Sequence, residues 1–315
     1  MEHKPVLFAE AVKELAIRPG GTYVDCTLGG ASHAEAIAQK LSGGRLYGLD
    51  QDAQAIARAS ERLKDQETFI PIKENFRHLR SVLAKRGVQT IDGALYDLGV
   101  SSFHFDEASR GFSYRFEGPL DMRMDESAPL TAKEVVNTWR EHELKRILYE
   151  YGEERFAPRI AREIATRRKE KPFETTLELV DAIKAAMPKK ALHSPGHPAK
   201  RTFQALRIAV NDELAALEES LQDAIDMLNP GGRIVVISFH SLEDKIVKRL
   251  FKEASTVSHP EGLPTMPDEE SEYFRVNKKI IRPSREEAEA NPRSKSARMR
   301  VLGRFPEKKN PSREG

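Results

Sequence analysis

Thiols are almost absent from this chain: among 315 residues, Cys26 is the one cysteine. A single thiol excludes an internal disulfide framework and fits a reducing compartment. It also excludes an iron–sulfur cluster or a cysteine-rich zinc site, since both need several thiolates, and no metal is expected. Long apolar runs are missing as well. None approaches the ~20 residues of a membrane span, and the start Met1-Glu2-His3-Lys4-Pro5 does not read as a secretion signal, so a cytoplasmic protein without membrane association is expected. The pattern Gly-x-Gly-x-x-Gly is absent too. Pyrophosphate binding depends on those glycines at a helix N-terminus, which counts against a nicotinamide enzyme.

What the chain does have is charge, unevenly placed. Asp, Glu, Lys and Arg make up 32% of it, with a net charge of +2. Residues 155–201 hold 12 Lys/Arg against 5 Asp/Glu, and residues 275–315 hold 13 against 5, so the remainder is acidic. Two basic blocks on an acidic body point to local contact with a polyanion. Solvated helix faces and a loose tail would give the same composition. The length allows one large domain or two ordinary ones.

The first hundred residues alternate strand and helix signals, as a parallel α/β sheet requires. Strands are expected at Thr22 to Thr27, Arg45 to Asp50, Thr68 to Ile72 and Ile91 to Asp97, with Pro71 suiting an edge. The rhythm then stops. Leu144, Ile147, Leu148 and Tyr151 form a helical stripe, and Thr175-Thr176-Leu177-Glu178 is a capping box opening another helix. A long helix, about Thr202 to Leu228, precedes the stop Asn229-Pro230-Gly231-Gly232 and the buried-strand run Arg233 to Phe239. The sequence therefore predicts an α/β domain over residues 1–103 and 201–315, split by an all-α insertion over residues 104–200. The tail beyond Ser255 is polar, rich in proline and charge, and expected to be irregular or conditionally ordered.

Open parallel sheets bind ligands at the carboxyl ends of their strands. There stand Leu28-Gly29-Gly30-Ala31-Ser32-His33, Asp50, Asn75-Phe76 and Asp97-Leu98-Gly99. Asp50 follows Gly30 by twenty residues, a spacing that lets an acid bind the ribose hydroxyls of an adenosine. Phe76 can cover an adenine, Asp97 suits its amino group or a methionine ammonium, and Asp25 favours that ammonium. Taken singly, Asp50 or Asp97 could be a helix cap, Phe76 core and His33 a helix start. Taken together, they point to S-adenosylmethionine, which has no phosphate.

The longer motifs carry a resemblance. His3-Lys4-Pro5-Val6-Leu7, Val24-Asp25-Cys26-Thr27-Leu28-Gly29-Gly30-Ala31, Asp97-Leu98-Gly99-Val100-Ser101-Ser102, Arg110-Gly111-Phe112-Ser113 and Pro119-Leu120-Asp121-Met122-Arg123-Met124-Asp125 occur in order. His197-Pro198-Ala199-Lys200-Arg201-Thr202-Phe203-Gln204-Ala205-Leu206-Arg207-Ile208, Ser238-Phe239-His240-Ser241-Leu242-Glu243-Asp244 and Asn291-Pro292-Arg293-Ser294-Lys295-Ser296-Ala297-Arg298 complete the set. The chain resembles the RsmH (MraW) family, which methylates N4 of a cytosine in the decoding region of bacterial 16S rRNA. The resemblance implies a class I, Rossmann-like S-adenosylmethionine-dependent methyltransferase sheet with an inserted helical substrate-recognition domain. It implies 16S rRNA in the small ribosomal subunit as partner, and admits a homodimer. It also implies cofactor contacts at Ala31, Ser32, His33, Asp50, Phe76, Asp97 and His104. Two departures stand out: Ser32-His33-Ala34 replaces the family's usual Gly-His-Ser, and Ser102-Phe103-His104-Phe105-Asp106 its Ser-Pro-Gln-Leu-Asp. Imidazole and carboxamide differ in reach and donor pattern, which bears on His104.

A cytosine amine has its lone pair delocalised into the ring, so acceptors for its hydrogens would localise the pair. Asp97, Asp121, Asp125, Ser238 and His240 are the candidates. Asp121 to Asp125 could instead be a salt-bridged loop, and His240 a helix cap. In the tail, Arg293, Lys295, Arg298 and Arg300 are expected phosphate contacts. Two other functions compete. A DNA amino-methyltransferase would usually carry Asp/Asn-Pro-Pro-aromatic where this chain has Asp97-Leu98-Gly99-Val100. A non-catalytic ribosome-assembly RNA-binding module would bind no methyl donor.

Overall fold

The computed structural model describes residues 5–100, 102–193, 195–257 and 271–307. The chain divides into two compact units, one of Met1–Gly99 with Leu214–Gly315 and one of Val100–Glu213.

The first unit is built on seven strands: β1 (Thr22–Asp25), β2 (Arg45–Asp50), β3 (Phe69–Lys73), β4 (Ile91–Asp97), β5 (Leu228–Ser238), β6 (Tyr273–Arg275) and β7 (Arg298–Arg304). They lie in the order β3-β2-β1-β4-β5-β7-β6. The first five pair in parallel, whereas β7 runs antiparallel between β5 and β6. The chain works outward from β1 to β3 and then crosses back to place β4 on the other side of β1. This reversal opens a crevice at the strand ends, where doubly wound folds bind ligands. The fold is the Rossmann-like α/β sheet expected.

Both faces of the sheet are covered, and the apolar run of β5 follows from that. Ile234 and Val236 join Val24, Leu49 and Tyr96 in one buried cluster; Val235 and Ile237 join Tyr23, Leu46 and Leu95 in the other. Successive strand residues point to opposite faces, so a strand covered twice has no polar alternation. Pro71 lies in β3, the outermost strand on its side, where a missing N–H is tolerated.

Two expectations fail. The tail is not irregular throughout: its Arg298-Met299-Arg300-Val301-Leu302 forms most of β7, a strand inside the sheet. Charge hid it, yet Met299, Val301 and Leu302 are fully buried. The long helix from Thr202 to Leu228 is also two helices, Lys200–Asn211 and Glu213–Met227. Asp212 separates them with φ at 48°, a left-handed conformation that Asp reaches more easily than most residues.

The second unit is helical. Helices Ala132–Thr138, Glu141–Glu150, Ala157–Arg167, Thr176–Ala186 and Lys200–Asn211 share one core that includes Leu144, Ile147, Leu148, Ile160, Leu179, Ile183 and Leu206. Thr175 accepts from the Glu178 backbone at 3.3 Å while Glu178 accepts from the Thr175 backbone at 3.1 Å. That reciprocal cap starts the fourth of these helices where the sequence predicts it. The unit is wider than residues 104–200, because helix Lys200–Asn211 gives Phe203, Leu206 and Val210 to its core.

Candidate active site

Four carboxylates mark the carboxyl ends of the parallel strands. Asp25 ends β1, Asp50 ends β2 and Asp97 ends β4, and Glu243 lies in helix Ser241–Ala254, which follows β5. Hydrogen bonds fix three of these carboxylates, and the backbone of Asp97, to their neighbours. Asp50 Oδ2 accepts from the Gly29 N–H at 3.0 Å and Oδ1 from the Asp52 N–H at 2.9 Å, so the acid is tied to the loop that follows β1. Asp25 Oδ1 accepts from the Thr27 N–H at 3.0 Å, and Thr27 Oγ1 accepts from the Asp97 N–H at 2.7 Å. Glu243 accepts from the Phe239 N–H at 2.8 Å.

The loop after β1 is bent tightly. Gly29 has φ at 48°, where glycine is at ease, and Ala31 has φ at 60°, where a Cβ costs about 1 kcal/mol. Arg62 holds this turn from the helix after β2: its Nη1 donates to the Gly30 carbonyl and to Ser32 Oγ, both at 3.0 Å, while Nη2 binds Glu35 at 2.7 Å. No local pattern marks Arg62 for this role, because the contact joins two separate helices.

Burial governs the charge state of this cluster. Asp25 is pushed up to about 7 by desolvation, with the Asp50 charge adding to it. Asp97 is pushed up to about 8, again by desolvation first and then by the Asp25 and Glu243 charges. Like charges in a dry site disfavour one another's ionisation. His33, whose Nδ1 lies 3.6 Å from Asp97 Oδ2, is pushed down to about 4 by burial and is neutral near pH 7. Among the described residues, Asp25 Oδ2, Asp97 Oδ1 and His33 Nε2 are buried without a hydrogen-bond partner. Buried acceptors of this kind are unfavourable unless something occupies the site, and acids this poorly neutralised call for a cation.

The structure brings Ala31, Ser32, His33, Asp50, Phe76 and Asp97 to the ends of β1 to β4. Ala31 caps helix Ser32–Ala38, His33 meets the Phe8 ring at 5.4 Å, and Phe76 opens a short 3-10 turn with its ring edge-on to Tyr96 at 5.9 Å. His104 belongs to the second unit, where it is buried against Phe112 at 4.9 Å.

The other candidates have structural work. His240 caps helix Ser241–Ala254, its Nδ1 accepting from the Glu243 N–H at 3.4 Å, with Nε2 3.0 Å from Glu243 Oε1. Ser238 Oγ donates to the Arg298 carbonyl at 3.3 Å. Asp121 is bound to Arg123 through Nε at 2.9 Å and Nη2 at 2.7 Å. Burial works to raise Asp121, but these bonds outweigh it and hold the carboxyl below its usual range. Arg123 also donates to the Glu126 and Ala128 carbonyls, and Asp125 accepts from Ser127 Oγ at 2.8 Å. The ion pair of Asp121 with Arg123 and the Ser127 bond to Asp125 fold this segment into a loop. In the tail, Arg298 and Arg300 bind Asp244 at 3.1 and 2.7 Å, which ties them to the fold rather than to a free basic arm. Arg293 and Lys295 are exposed in a 3-10 turn.

The chain matches the MraW methylase family over residues 1–305. It is also similar to three solved structures. A Clostridium thermocellum protein proposed to be an rRNA methylase shares 11% identity at a TM-score of 0.46, covering 97% of this chain and 100% of that one. An rRNA methylase from Streptococcus thermophilus shares 12% at 0.43, covering 97% and 99%. A Streptococcus mutans protein proposed to be a methyltransferase, solved with SAH, shares 10% at 0.44, covering 97% and 100%. Scores below 0.5 at such identities do not bear on what this chain does.

S-adenosylmethionine is the cofactor of a methylase with this sheet, and the residues present fit it. Its sulfonium and ammonium are cationic, and the strand ends offer buried carboxylate oxygens in want of a cation. Asp50, at the end of β2, would hold the ribose, and the Gly29–Ala31 turn would let backbone approach closely. When bound, the cofactor supplies a methyl group activated on a positive sulfur.

Proposed function

This chain belongs to the MraW methylase family, and on that premise we propose that it methylates N4 of a cytosine in the decoding region of bacterial 16S rRNA. The substrate is the small ribosomal subunit in the cytoplasm, and the second unit is the part that recognises it. The observation that carries the choice of atom is Cys26. Methylation of cytosine at C5 ordinarily needs a thiolate to add at C6. Cys26 is the one cysteine of the chain, it is buried in β1's cluster, and burial pushes its thiol far above the usual range. An exocyclic amine needs no such addition, because it already carries a lone pair and loses a proton after attack.

The protein's part is to hold the reacting atoms in line, which can supply ~7–11 kcal/mol of a barrier. Asp50, Asp25 and Asp97 orient the donor side. Asp97 stands at the end of the central strand, its Oδ1 without a hydrogen-bond partner, as the acceptor for an amine proton. The target base must leave its stack to reach the site.

The test is methylation of small subunits from a strain lacking the activity, followed by mass spectrometry of the nucleosides. N4-methylcytidine is expected. A 5-methylcytidine product, or a methylated DNA and no methylated rRNA, overturns the proposal.

A further inference from the structure

The first basic block, residues 155–201, takes no part in the carboxylate site, yet the second unit sorts some of it onto one face of a helix. Helix Ala157–Arg167 turns Ala157, Ile160, Ala161 and Ile164 inward. Its outer face carries Arg159 and Arg162, and Arg155 stands in the turn just before the helix. A spacing of three residues puts Arg159 and Arg162 on one side of the helix, and all three arginines are exposed.

Their neighbours leave them uncompensated. Exposed Arg146, Arg249 and Arg285 on other helices, and part-exposed Arg167 on this one, are each paired with a glutamate four residues away, namely Glu150, Glu253, Glu289 and Glu163. The row from Arg155 to Arg162 has no such match, and among the described residues none of the three lies within ion-pair distance of a carboxylate. Glu163, the acid closest along the helix, is bound to Arg167 at 2.6 Å. Arg155 is held against the Phe156 ring at 4.6 Å, which restricts the guanidinium. Arg159 and Arg162 line a shallow cleft with Pro158, Ala186 and Glu163, the last of which is paired with Arg167, and exposed Lys184 stands on the same helix as Ala186.

Three like charges in a row repel one another, and a polyanion relieves that repulsion. Three cations set side by side can meet more than one phosphate of a nucleic-acid strand. Guanidinium groups suit phosphate oxygens because they donate in pairs. We infer that Arg155, Arg159 and Arg162 grip the sugar–phosphate backbone of the RNA flanking the target base. The inference rests on the proposed rRNA substrate and adds the contact surface to it. A backbone grip positions the RNA without reading its bases.

The experiment titrates a labelled decoding-region RNA fragment with the full chain at several salt concentrations. R155Q/R159Q/R162Q is expected to bind roughly tenfold more weakly at low salt. Its plot of log affinity against log salt should flatten by roughly 0.7–0.9 for each phosphate no longer neutralised, with cofactor affinity and melting temperature unchanged. R155K/R159K/R162K should keep most of the slope. R146Q/R249Q/R285Q removes the same net charge from glutamate-paired arginines and should leave the slope alone. An unchanged slope in the first variant, or equal flattening in the third, overturns the inference. Methylation by the unaltered protein is assayed alongside. If it methylates rRNA while the slopes stay equal, only the grip is wrong; if the slope flattens but no rRNA is methylated, the grip stands and the target is wrong.

Discussion

Asp50, Asp97 and Cys26 each carry a test at the scale of single residues. Asp50→Ala removes a carboxylate held by the Gly29 and Asp52 N–H groups. Cofactor affinity should fall by ~1–3 kcal/mol as charge-assisted hydrogen bonds disappear, and calorimetry on the folded mutant that finds no change would remove Asp50 from the site. The raised acids give a pH dependence with a definite sign. A cation favours ionised Asp25 and Asp97, so S-adenosylmethionine should bind more tightly as pH rises through about 7 to 8. The free protein should behave oppositely: over pH 4 to 8 the folded state holds protons that the unfolded chain has released, so these two groups make stability fall as pH rises. Asp97→Asn should blunt both trends, and isothermal titration at pH 6 and 8.5 reads the first directly. Cys26→Ser should keep substantial turnover, any loss tracking stability. A folded variant with no chemistry would contradict the amine as target.

At the scale of elements, β7 and its ion pairs decide what the tail is. Met299, Val301 and Leu302 bury three large side chains, at about 1.5–3 kcal/mol each, which together approach the whole stability of an ordinary domain. Removing the chain after Glu289 should therefore unfold the first unit rather than merely weaken RNA binding. Circular dichroism would show it, and a truncated protein that melts cooperatively and binds cofactor would contradict the place of β7. Asp244 joins helix Ser241–Ala254 to β7 through Arg298 and Arg300. Burial works to raise its carboxyl, but the two arginines hold it low. The pair is worth most above the ordinary carboxylate range and is lost as pH falls through the lowered value. Asp244→Ala should cost about 1–3 kcal/mol in urea denaturation at pH 7, with a smaller difference from the unaltered protein at pH 3.

At the scale of the whole molecule, two units with separate cores share one chain. The second has its own buried cluster, from Phe112 to Val210, and its ends fall at Val100 and Glu213. Expressed alone, residues 100–213 should be helical and melt as one transition. A fragment that is unfolded, or that melts without cooperativity, would mean that this core needs the rest of the chain. Among the described residues no helix is long and apolar enough to cross a membrane.

Local patterns are enough wherever the deciding physics is local. The capping box at Thr175, the stripe of Leu144, Ile147 and Leu148, the apolar run of β5 and the order of motifs through Asp25, Asp50 and Asp97 all follow from period and neighbouring residues, and they foretell the α/β sheet and the acids at its ends. Tertiary structure alone decided the rest. Arg298 and Arg300 look like a basic arm until β5 supplies a strand to pair with and Asp244 a counter-charge. Asp121 looks like an isolated acid until Arg123 folds back on it. Arg62 has no visible role until two helices bring it to the glycine turn, and Asp25 and Asp97 become reluctant acids only once the sheet buries them beside one another. Propensity and periodicity belong to the chain, whereas desolvation and charge pairing between distant residues exist only after it has folded.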